Sequence, residues 1–181
     1  MIQGDYVDKT IEMLAKDMES VTTAYKTEDV NLLEISILGV LNTMDQVMQI
    51  SLVSLVSGIP ISDSAHYDYV LSSMRKGISS KGLIWDYINA MPTGPEKDGL
   101  AFVYRQLSRA RNNGTHHPAR RLDHLLKLTT MSIPISSIFN VPLKWILDNC
   151  GENIPKGIIK INSKNMVSGV SVAIASLIST K

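Results

Sequence analysis

Residues 111–127, RNNGTHHPARRLDHLLK, hold three of the chain's four histidines and four of its eighteen Lys and Arg residues. Imidazoles can ligate a metal or carry protons, and guanidinium groups can bind phosphates. A metal shared on one helix needs ligands three or four residues apart. His117 and His124 are seven apart, about 10 Å of helix rise. His116 and His117 are neighbours whose side chains diverge, so no metal is expected. Asp123 and His124 are adjacent and point about 100° apart on a helix, which does not orient a catalytic base. Cys150 precedes Gly151 at an expected helix end, where the helix dipole disfavours a thiolate. The run Pro92-Thr93-Gly94-Pro95-Glu96-Lys97 lacks the length and the Lys-Ser/Thr ending of a phosphate loop. No catalytic residue, cofactor or metal is expected, and the chain reads as a non-enzyme.

The basic residues make a stronger case. Arg105 and Arg109 lie four apart on one helix face, with Arg111 near its end. Arg120, His124 and Lys127, spaced four and three, form a polar stripe opposite Leu122, Leu125 and Leu126, with Arg121 alongside. A turn at Asn112-Asn113-Gly114 would fold the two segments into a helical hairpin. From Lys97 to Lys127 there are seven Lys/Arg against Asp98 and Asp123, enough to neutralise several phosphates with steep salt dependence. Arg105, Arg109, Arg111, Arg120, Arg121, His124 and Lys127 are therefore the expected nucleic-acid contacts, with His116, His117 and His124 adding charge at low pH.

Two other patterns compete. Residues 133–146 could form a short helix, a turn at Asn140-Val141 and a second helix, a faint helix-turn-helix for DNA. Pro134 shortens its first helix, and only Lys144 precedes Asp148 on the second. Met44 and Met48 fit core filling. Trp85 and Trp145 fall on apolar faces or their edges, with no run of aromatics suited to base stacking.

These residues need helices to position them, and helical spacing runs along most of the chain. Val7, Ile11, Leu14, Met18 and Val21 form a narrow seam, expected to pack internally or to join two copies. Thr27-Glu28-Asp29 caps a second helix running to about Ser57, apolar on more than one side and halted by Gly58-Ile59-Pro60. Ser62-Asp63 opens a third that stops at Gly77, and Ser79 or Ser80 a fourth. Met91-Pro92-Thr93-Gly94-Pro95 is the clearest breaker. A fifth helix carries Leu100, Val103, Tyr104 and Leu107; a sixth opens at Thr115 to Pro118; a seventh runs from Asn140 to Gly151. The one plausible strand is 157–161, and Ser163 caps a last helix rich in small residues.

The expected architecture is all-α: seven to eight helices in one domain over 1–181, divisible at most into an acidic part, 1–91, and a basic part, 96–181. Residues 1–68 carry eleven carboxylates against three lysines, a balance of −8, while 69–181 carry fifteen basic residues against six acids, +9. The halves either neutralise each other or leave faces for an anionic partner or self-association. The single cysteine excludes an internal disulfide framework. The opening residues lack signal-peptide character, and the longest charge-free runs are too short and polar to span a membrane. A soluble, intracellular protein is expected.

The frequent Ile, Ser, Met and Asn, with polarised charge on helices, is similar to small nucleocapsid, matrix or accessory proteins of RNA viruses. That similarity implies a self-associating protein that binds RNA or another polyanion. The alternatives are a module docking an acidic protein partner and a DNA-binding regulator.

Overall fold

A computed structural model describes residues 1–74, 79–116, 123 and 134–179. Eight helices are present among them: α1 Asp5–Lys26, α2 Val30–Ser57, α3 Ser64–Met74, α4 Ser80–Ala90, α5 Pro95–His116, α6 Ser137–Cys150, α7 Lys156–Ser163 and α8 Met166–Ser179. No strand occurs among the described residues.

Helix α2 is the central element. Its stripe is too broad for one partner, and it touches α1, α3, α4, α5, α6 and α8. The Asp29 carboxylate caps it, accepting from the Leu32 N–H at 3.0 Å, and Gly58 ends it in the left-handed conformation at φ 67°. Helix α1 lays its seam on α2, α7 and α8. Val7, Ile11, Leu14, Met18 and Val21 are at most 2% exposed within the single chain. The seam thus belongs to this chain's own core, and these five positions are not available as a contact between copies. Burial on three sides uses the apolar faces that a dimer would have needed.

One core runs through both parts of the chain, joining Leu14 and Leu41 to Leu107, Phe139 and Ile174. The start of the chain is strapped across it. Gln3 receives the Ile61 N–H on its carbonyl at 3.1 Å, and Ile61 receives the Tyr6 N–H at 3.0 Å. Between them Gly4 sits at φ 120°, where a Cβ would stand 2.2 Å from the Ile61 oxygen, so only glycine fits.

Four local expectations are corrected. Residues 157–161, read as a strand from their isoleucines, lie in α7. Ile158 and Ile161 face the core one turn apart while Ile159 faces solvent, and Pro155 precedes the helix. Tertiary packing outweighs β-propensity there. Ser163 ends α7 instead of capping the last helix; Asn165, left-handed at φ 49°, makes the turn, and its carbonyl accepts from Gly169. Helix α6 begins at Ser137, on i→i+3 bonds to the carbonyls of Pro134, Ile135 and Ser136, and runs unbroken through Asn140 and Val141. The turn required by a helix-turn-helix at that place is therefore helix. Helix α5 continues through Asn112, Asn113 and Gly114 to His116, so the hairpin turn expected there is absent. Asn and Gly weaken a helix by about 1 kcal/mol at most each. The anchored turn before them carries the helix through.

Candidate nucleic-acid interface

The loop Met91–Gly94 brings α5 back against α4, so the helix that pairs with the arginine-bearing α5 in a hairpin is α4. The Lys97 ammonium donates to the Asn89 carbonyl at 2.9 Å and closes the loop end. Further along, Trp85 of α4 meets Tyr104 of α5 edge-on, with ring centroids 5.4 Å apart. The two helices therefore run antiparallel, and Lys81, one turn before Trp85, lies toward the Arg109 and Arg111 end of α5.

A buried polar chain fixes this hairpin to α2. Asp45, 2% exposed, accepts from the Gln49 amide at 2.9 Å, and Gln49 Oε1 accepts from the Ser80 hydroxyl at 2.6 Å. Arg111 reaches in from α5, its Nε 3.2 Å from Asp45 Oδ2, at ion-pair distance but not aligned as a hydrogen bond. Around this chain Asp45 Oδ1, Ser108 Oγ and the Tyr67 and Tyr104 hydroxyls are buried without an aligned protein partner. Burial pushes the Asp45 carboxyl above the ordinary carboxylate range, opposed first by the Arg111 charge and then by the Gln49 amide. Burial likewise raises the Tyr104 hydroxyl, and the nearby Asp45 charge adds to it.

The expected contact residues thus separate. Arg111 is half-buried and turned inward to Asp45. Arg105 and Arg109 are exposed, and neither has a carboxylate within ion-pair distance among the described residues. Arg120, Arg121, His124 and Lys127 lie outside the described residues. The Arg105 guanidinium stands over the Trp85 ring, 5.6 Å from its centroid. Trp85 is half-buried and reaches the surface. The described face therefore comprises Lys81 and Trp85 from α4 with Arg105 and Arg109 from α5. Asp86, next to Trp85, is the carboxylate at its border.

Sequence reasoning placed Trp85 on an apolar face or its edge without a role and did not single out Lys81. The signal was their i,i+4 spacing on the helix immediately before a tight joint, which forces that helix against the arginine helix. Trp145, by contrast, is core: it is 3% exposed and lies across Tyr87 at 5.8 Å.

The charge asymmetry is partly resolved within the chain. Lys160 and Lys164 approach Glu19 at 3.1 and 3.6 Å, and Arg111 pairs with Asp45, so three basic residues of the second part meet two acids of the first. A surface cleft of about 600 Å³ between the start of α6 and helices α7 and α8 is lined, among the described residues, by Asn, Ser, Pro and aliphatic side chains, none of them ionisable. No group of metal-ligating side chains occurs among the described residues, and no described helix is long and apolar enough to cross a membrane. No known protein family, curated protein or solved structure matches the chain.

Proposed function

We propose that the protein is a non-enzymatic helical protein that binds a polyanion, RNA in the first instance, through the α4–α5 face. The observation that carries this reading is the pair of exposed arginines, Arg105 and Arg109, which have no carboxylate partner among the described residues, on a hairpin that also carries the exposed Lys81. Charge left unpaired on one face is what electrostatic binding of phosphates requires. Arg120, Arg121, His124 and Lys127 follow in sequence and would extend the site.

Salt dependence tests this reading. Each phosphate neutralised on a single strand contributes about 0.7 to the slope of log affinity against log salt. Lys81, Arg105 and Arg109 alone give a slope of about −2, and adding Arg120, Arg121 and Lys127 gives about −4. Arg105→Glu with Arg109→Glu should abolish binding at moderate salt and leave the melting temperature nearly unchanged, because both side chains are exposed. Absence of binding at low salt would overturn the reading. The acidic-protein alternative would use the same face, and Arg105→Glu with Arg109→Glu would then release a protein partner instead of RNA.

A further inference from the structure

The face contains a feature that phosphate binding does not need: a surface-reaching tryptophan ring at its centre. Trp85 is held in orientation by Tyr104, edge-on at 5.4 Å, and α4 is fixed at its first residue through Ser80 and Gln49. One ring face is covered by Arg105, whose guanidinium carbon is 5.6 Å from the centroid. This lies near the outer limit of a cation–π contact, about 6 Å. Lys81, four residues before Trp85, and Arg109, four residues after Arg105, are exposed one helical turn away, toward the other end of the hairpin. A flat aromatic face flanked by cations fits one chemical unit: an unpaired nucleobase with phosphates on either side.

We infer that Trp85 is a stacking platform for an unpaired nucleobase, with Arg105 moving off the ring to pair with a phosphate while Lys81 and Arg109 hold the neighbouring phosphates. The inference rests on the polyanion reading and narrows its ligand to single-stranded nucleic acid. A duplex keeps its bases stacked inside and can offer this face only its phosphates. A base of RNA or of DNA meets this requirement, since stacking uses the π-face common to both. The replacement of Arg105 by a base involves no covalent change and leaves a charge-assisted phosphate contact in place of the cation–π one.

The test uses the whole chain with Trp145→Phe, so that Trp85 is the sole indole. Its fluorescence is followed during titration with oligouridylate, oligodeoxyuridylate and a duplex carrying an equal number of phosphates. The expected result is quenching by the single strands and none by the duplex. Quenching by both single strands supports the shared chemistry, and quenching by one names the sugar. In the otherwise wild-type chain, Trp85→Leu should lower single-strand affinity roughly ten- to a hundredfold while duplex affinity holds. Arg105→Lys, which keeps the charge but loses the planar group, should retain single-strand binding and quenching. If Trp85→Leu binds single strands as the wild type does, while Arg105→Glu with Arg109→Glu still abolishes binding, the stacking inference fails and the polyanion reading stands. If neither strand type binds at low salt, both fail. Should Trp145→Phe not fold, the Trp85→Leu affinities measured by labelled oligonucleotide decide the matter alone.

Discussion

Arg111→Met is the most informative single perturbation of this fold. Asp45 is 2% exposed, and its guanidinium partner comes from a different helix. Removing one partner of a buried ion pair costs about 3–5 kcal/mol, because the other charge remains buried and alone. The Arg111 side chain is 33% exposed, so solvent screens part of the attraction, and about 2–3 kcal/mol is expected. Methionine keeps much of the aliphatic stem, so the loss reports on charge more than on packing. The sign with pH follows from the raised Asp45 carboxyl, whose protonated form is favoured by burial. The folded chain binds that proton more tightly than the unfolded chain. Its contribution to stability is therefore full in acid, below the unfolded value, and is lost as pH rises through the raised folded value. Removing Arg111 raises the carboxyl further and enlarges that loss. Urea unfolding near neutral pH should show the full deficit of Arg111→Met, and the deficit should shrink in acid as Asp45 becomes protonated in both proteins. Asp45→Asn, which removes the charge at constant shape and leaves Arg111 able to reach water, should cost about 1 kcal/mol or less and suppress this pH dependence. A deficit that persists or grows in acid, or an Asp45→Asn cost exceeding that of Arg111→Met, would refute the argument.

Two further outcomes follow from packing. Gly157→Ala places a Cβ 2.8 Å from the Ile11 backbone, and pushing α7 off α1 should destabilise by about 1–3 kcal/mol, read as a lower urea midpoint with an unchanged slope. Cys150 is 1% exposed, and burial, assisted by the Asp8 charge, pushes its thiol up to about 11. It should react with a thiol reagent near neutral pH only on unfolding, and rapid reaction of the native protein would count against the burial.

The helices were legible where a local signal and a tertiary role coincide. The sequence put caps at Thr27-Glu28-Asp29 and at Ser79 or Ser80, and in the structure Asp29 and Ser79 fill them, each side chain accepting a backbone N–H of its helix. Gly58 is a stop in both. Legibility failed where a distant contact decides. The β-branched run at 157–161 reads as strand until Ile158 and Ile161 find α1, and Asn112-Asn113-Gly114 reads as a turn until Arg111 is tied to Asp45. Both involve partners more than sixty residues away, which no local window contains. The candidate site was half legible for the same reason. Arg105 and Arg109 share a face by spacing alone, whereas the inward turn of Arg111 and the approach of Trp85 depend on how helices cross.

The same network bears on how an acidic first part and a basic second part leave exposed basic residues on one face. Folding brings Arg111 to Asp45 and the α7 lysines to Glu19, so part of the opposite charge is consumed inside one molecule. Among the described residues Arg105 and Arg109 have no such partner, because Asp45 and Gln49 fix α4 and α5 with those side chains outward. Arg105 then rests on Trp85, a contact of about 0.5–1 kcal/mol at an exposed site. Stacking a base on the ring is worth about 1–3 kcal/mol, and the freed guanidinium gains a phosphate. On the stacking proposal the resting contact is the weaker of the two, and a single strand would displace Arg105 without disturbing the buried chain that positions it.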